Sequence, residues 1–215
     1  MEFFYDLAAK VVKHLRMRTV HEYVPRMLLA ALLLEFRRQG LPVVEANRRL
    51  FEYGAFAGSR TFAEMADAED ARRLVGRATP EDLARAMRVY GRAAWYIFTG
   101  ARAEVEPRVE GDVVVGRVKP LEDCFFDVEA GELNPYFLAA GSYETATLMF
   151  FQLAGVDDWI GMWRPSSEGG LVGFYARRGS DWRGVIEPVE PGFFSVVSAE
   201  MSDRLAGEYL GLSLL

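Results

Sequence analysis

Near residue 101 the hydrophobic period of this chain changes from 3.6 residues to 2, and a sequence that carries both periods folds into neither helices alone nor strands alone. Upstream, Phe3, Phe4, Leu7, Ala8, Val11, Val12 and Leu15 recur at helical spacing and mark a helix over 2–17. A second helix fits 20–39, closed by Gly40 and Pro42. A third fits 43–66, with Leu50, Gly54, Ala57, Gly58, Thr61, Phe62 and Met65 along one side. The fourth begins with Thr79 as cap and Pro80 at the first helical position, followed by Glu81 and Asp82, where the helix dipole favours negative charge, and Gly100 ends it. Downstream, "AEVEPRVEGDVVVGRVKP" sets two valine-rich runs around Glu110-Gly111-Asp112, which reads as a hairpin. Asn134-Pro135 opens a helix running to about Ala154, whose "ATLMFFQLAG" is apolar enough for deep burial. "DWIGMWRP" and "LVGFYARR", joined by "SSEGG", form a second hairpin, and a last helix falls around 199–211. Two antiparallel hairpins among helices make the fold class α+β.

The chain has 215 residues, 51% of them hydrophobic, so it can bury a core, and a disordered, collagen-like or coiled-coil chain is excluded. Its one cysteine, Cys124, closes no intrachain disulfide and fits a reducing compartment. The start is acidic at Glu2 and Asp6, unlike a secretory leader, and "MLLAALLL" is too short to span a bilayer. A cytoplasmic protein is expected. The net charge is −6, and residues 10–50 hold nine Lys/Arg against three Glu, interleaved with apolar residues as on solvated helix faces. No nucleic-acid partner is expected, and a peripheral membrane or protein partner stays open.

Catalytic motifs are absent from the text of the chain. His14 and His21 belong to no paired-ligand pattern, so no metal is expected, and no phosphate or dinucleotide loop implies a nucleotide cofactor. Ser142 in "AAGSYET" lacks the second glycine of a nucleophile elbow. Acidic neighbours in "PLEDCFFDVE" would raise the Cys124 thiol pKa and suppress its reactivity. Asp157-Asp158 fits a turn. The chain therefore leans away from being an enzyme. The unusual feature is Gly54 and Gly58, one turn apart inside a long helix, where each costs about 1 kcal/mol relative to alanine. A side-chain-free strip lets another backbone, or a ligand, come close.

"ANRRLFEYGAFAGSRTFAEM" resembles the L-x-x-x-G-x-x-x-G-x-R-x-x-E-F signature of small TRAPP subunits, through Leu50, Gly54, Gly58, Arg60 and Glu64 or Met65. "VVVGRVKPLEDCFFDVEAGELNPYFLAAGSYETATLMFF" is similar to the family's strand, NPL-x-D-F-V-E-L and helix text, through Pro120, Leu121, Asp123, Phe125 and Gly141. The family shares its fold with 4-vinyl-reductase-type domains. The resemblance implies helices packed on one side of a twisted antiparallel sheet of about four strands and an apolar cavity for an acyl chain or other hydrophobic small molecule. It also implies a homodimer made through the N-terminal helices. It places ligand contacts at Gly54, Gly58, Arg60, Cys124 and Gly141. A TRAPP-like domain would span 1–178, with an extension over 179–215. Thr145 stands where a second glycine is expected, no cysteine for acylation occurs in the loop 66–79, and the cysteine ligands of the vinyl-reductase type are missing. A stand-alone archaeal binding or scaffold protein without cofactor is thus implied. The alternative is a sensor or enzyme in which Arg60, Tyr143 or Glu144 makes the polar contacts.

Overall fold

The structure, a computed structural model, describes residues 23–121 and 133–210. The helix expected over 2–17, both histidines and Cys124 lie outside the described residues. In chain order the elements are α1 (Tyr23–Arg38), α2 (Val43–Met65), α3 (Ala68–Val75), α4 (Pro80–Thr99), β1 (Ala103–Glu110), β2 (Val113–Pro120), α5 (Tyr136–Ala154), β3 (Trp159–Pro165), β4 (Leu171–Arg177), α6 (Trp182–Ile186) and α7 (Val196–Leu210). The four strands form one antiparallel sheet in the order β1-β2-β4-β3. The α+β class is what the two hydrophobic periods require.

Local chemistry sets the boundaries. Thr79 Oγ1 accepts the Asp82 N–H at 3.2 Å to start α4, and Gly100, at φ 70°, ends it in the left-handed conformation. The Asn134 side chain accepts the Tyr136 N–H at 3.0 Å, and α5 follows. Two short helices lie where the sequence reads as irregular. One is α3, capped by Asp67, whose carboxylate accepts from Glu69 and Asp70 N–H. The other is α6, capped by Asp181.

The layers follow from which residues each element buries. α4 lies over β1 and β2, α5 lies along β3, and α2 packs on the far side of α5. Flanked on all sides, α5 buries residues around its whole circumference, Ala140, Tyr143, Glu144, Thr147 and Phe151 among them, as its nearly unbroken apolar text requires. On the helix-facing side of the sheet, glycines make room for large neighbours. A Cβ at Gly116 would sit 2.2 Å from Met87 Sδ, and one at Gly173 would sit 2.3 Å from the Trp163 ring. The other side of β4 is covered by the C-terminal segment, where Phe174 stacks on Trp182 at 5.2 Å and meets Phe193 at 5.7 Å. Ile186, Phe193, Met201 and Leu205 belong to the same core as the sheet. A smaller apolar cluster of Leu29, Leu33, Phe36, Leu50 and Leu133 joins α1 to α2.

Candidate functional site

Three glycines bring α2 and α5 into backbone contact. A Cβ at Gly54 would lie 1.8 Å from the Leu138 carbonyl oxygen, one at Gly58 would lie 2.6 Å from the Ser142 carbonyl oxygen, and one at Gly141 would lie 2.0 Å from that of Phe51. The Ser142 hydroxyl donates to the Gly54 carbonyl at 2.7 Å, which ties the two helices at their closest point. The propensity cost of the glycines is offset by this close approach. Ala57, on the same sequence stripe, is exposed, because the contact follows the Leu50–Gly54–Gly58 line.

At Gly58 the contact borders a cavity of about 190 Å³ between α2 and α4 that is open to solvent on one side. Gly58, Thr61, Phe62, Met65 and Ala66 come from α2 and the residue after it. Tyr90, Ala93, Ala94, Ile97 and Phe98 come from α4, and Ala146 from α5. The space exists because Gly58, Ala93, Ala94 and Ala146 are small where two helices and a third meet. Among the described residues the lining carries no charged side chain, and its polar side-chain groups are the hydroxyls of Thr61 and Tyr90. The Tyr90 ring stacks on Phe150 at 5.4 Å and meets the edge of Phe62 at 6.2 Å. Burial, with Tyr175 close by, pushes the Tyr90 phenol well above the usual tyrosine range, and burial raises Tyr175 as well. Both phenols stay protonated at any physiological pH. The lining can hold an apolar group and donate a hydrogen bond, and it offers no nucleophile or ionised acid–base pair.

A second buried group lies between α5, β3 and α7. Glu144, with no exposed surface, accepts the Trp163 N–H at 2.9 Å and a guanidinium N–H of Arg164 at 2.5 Å. Arg164 also donates to the Trp163 carbonyl and to the Ser202 hydroxyl, and its guanidinium lies 5.2 Å from the Phe51 ring and 5.6 Å from the Phe193 ring. Since β3 lies at the edge of the sheet among the described residues, the Glu144 carboxylate occupies the outward N–H of Trp163 that a neighbouring strand would otherwise take. Glu144 Oε1 itself has no hydrogen-bond partner among the described residues.

Of the residues singled out in the sequence, Gly54, Gly58 and Gly141 come together, and Gly58 alone of them lines the cavity. Arg60 is exposed and places its guanidinium 5.7 Å from the Phe56 ring, away from the lining. Cys124 is outside the described residues. Tyr143 donates to the Gly91 carbonyl, and Glu144 is held by the β3 edge, so neither reaches the cavity. In the sequence, Tyr90, Ala94 and Ile97 recur at helical spacing along one side of α4, which marks this wall as apolar. Ala93 and Phe98 were missed, although the small residues between Tyr90 and Trp95 signal space. Among the described residues no group of three or more His, Cys, Asp or Glu is arranged to hold a metal, and no helix is long and apolar enough to cross a membrane. No family model matches the chain, and no curated protein matches it.

Proposed function

We propose that this chain is a non-enzymatic, dimeric binding or scaffold protein of the small TRAPP-subunit type, with an apolar cavity for a lipid-like or other hydrophobic ligand. The observation that carries the proposal is the uncharged cavity of about 190 Å³ beside the Gly58 contact. An apolar cavity of about 150 Å³ is enough to take benzene, whereas drug-sized ligands need about 300 Å³ or more, so the occupant is a small hydrophobe or the end of a chain. For the dimer, support comes from apolar side chains left in solvent on the first two described helices: Leu34 is 60% exposed, Tyr53 48% and Phe56 57%. Native mass spectrometry of untagged protein purified from its own cells tests both parts. A two-chain mass carrying a co-purified hydrophobic compound is expected, and that compound is lost in Ala93→Leu, which fills the cavity from a half-buried position. A monomer at micromolar concentration, with no compound retained and no uptake of added hydrophobes, would refute the proposal.

A further inference from the structure

We infer that the cavity selects an uncharged ligand bearing a hydrogen-bond acceptor, such as a ketone or ester carbonyl, and that the Tyr90 hydroxyl is the donor. The inference rests on the cavity being a ligand site and adds the chemical class of the ligand. Three observations lead to it. First, among the described residues the lining has no charged side chain, so an ion that entered this half-open pocket would give up part of its hydration with no opposite charge to replace it. Second, no hydrogen bond to the Tyr90 hydroxyl occurs among the described residues. Sealed polar atoms without partners do occur elsewhere, Glu144 Oε1 and Trp159 Nε1 among them, whereas Tyr90 is only partly buried and lines the cavity, where an acceptor can approach its side chain. Third, the phenol is held protonated by its burial, so it remains a donor. Thr61, the other hydroxyl of the lining, makes no hydrogen bond among the described residues either, but a helix threonine can rotate onto the carbonyl four residues back when no ligand is present, so it makes a weaker demand on a ligand. The Tyr90 hydroxyl, at the far end of its ring, cannot reach the carbonyl four residues back in its own helix, and the ring itself packs against Phe62 and Phe150.

Titration calorimetry of the full chain with three probes of similar size tests this: n-propylbenzene, which has no acceptor, propiophenone, a neutral ketone, and hydrocinnamate, a carboxylate at neutral pH. Propiophenone is expected to bind about 3- to 10-fold more tightly than n-propylbenzene, the range of one net hydrogen bond. Hydrocinnamate is expected to bind more weakly than either. Tyr90→Phe should erase the preference for the ketone, so that the ratio of propiophenone to n-propylbenzene affinity falls to about 1. Equal affinities of n-propylbenzene and propiophenone in the wild-type protein, a preference that survives Tyr90→Phe, or tight binding of hydrocinnamate would each overturn the inference and leave the cavity as a ligand site. If none of the three binds, the cavity is not a ligand site and the inference falls with it.

Discussion

At Gly54 there is no room for a methyl group. Its Cβ would lie 1.8 Å from a backbone oxygen, and backbone cannot swing aside as a flexible side chain can. Gly54→Ala is therefore expected to destabilise the fold by at least about 1–3 kcal/mol, despite the higher helix propensity of alanine, as read from urea denaturation. A neutral or stabilising effect would mean that α2 and α5 are farther apart than described. The demand for close approach was legible in the sequence, since two glycines one turn apart inside a long helix need a reason. Their partner was not legible, because Gly141 stands alone in its helix and the Leu138 and Ser142 contacts are made by main-chain atoms that any residue possesses. Glu144 shows the opposite case, a lone acid in an apolar helix whose partner, Arg164, comes from a strand 20 residues later. Removing one member of a buried ion pair costs about 3–5 kcal/mol, so Glu144→Ala should fall in that range. A loss below about 1 kcal/mol, as expected for an exposed ion pair, would contradict the burial of this group.

Among the elements, the junction of α3 and α4 carries a pH signature. Asp82 Oδ2 accepts the Arg77 N–H at 2.9 Å and Oδ1 accepts from Arg85 at 2.6 Å, which closes the turn between the two helices. The Arg77 N–H is the main reason that the carboxyl titrates below its ordinary value of 3.8, with Arg85 and Thr79 adding to it. A folded-state pKa below the unfolded one means that the ionised group stabilises the fold at neutral pH, and that this contribution fades as pH falls below 3.8 toward the folded-state value. Asp82→Asn should lower the urea midpoint at pH 7, and the gap to wild type should narrow at pH 3. A gap that stays constant would assign the effect to something other than ionisation. Helices with strong caps and several turns, such as α4, were legible from text alone. By contrast, α3 spans eight residues and buries only Ala71 and Val75, too few for a period to show, and its Asp67 cap is a signal that also fits a turn.

On the scale of the whole molecule, the segment after β4 belongs to the core. Phe193 and Ile186 are at most 2% exposed, and Glu190 accepts the Ser167 N–H at 2.8 Å, fastening the segment to the β3–β4 turn. A chain ending at Gly179 would expose the apolar side of β4 around Phe174 and is expected to lose cooperative unfolding and to bind a hydrophobic dye. Retention of a sharp transition in urea would make the segment dispensable. The four strands and the longer described helices were legible, but that the acidic, glycine- and proline-rich tail covers a sheet face was not, because its aromatic residues, Trp182, Phe193 and Phe194, follow no period. The glycine contact between α2 and α5 also sets an order of events during synthesis. Ser142 and Gly54 are separated by 88 residues, so the apolar face of α2 has left the ribosome long before its partner exists. At roughly 5–20 residues per second that interval lasts about 4–18 s. During it Phe51, Ala55 and Phe62 have no native neighbour on α5 to pack against, and a translational pause ahead of Tyr136 would lengthen the period in which a nascent chain needs a chaperone.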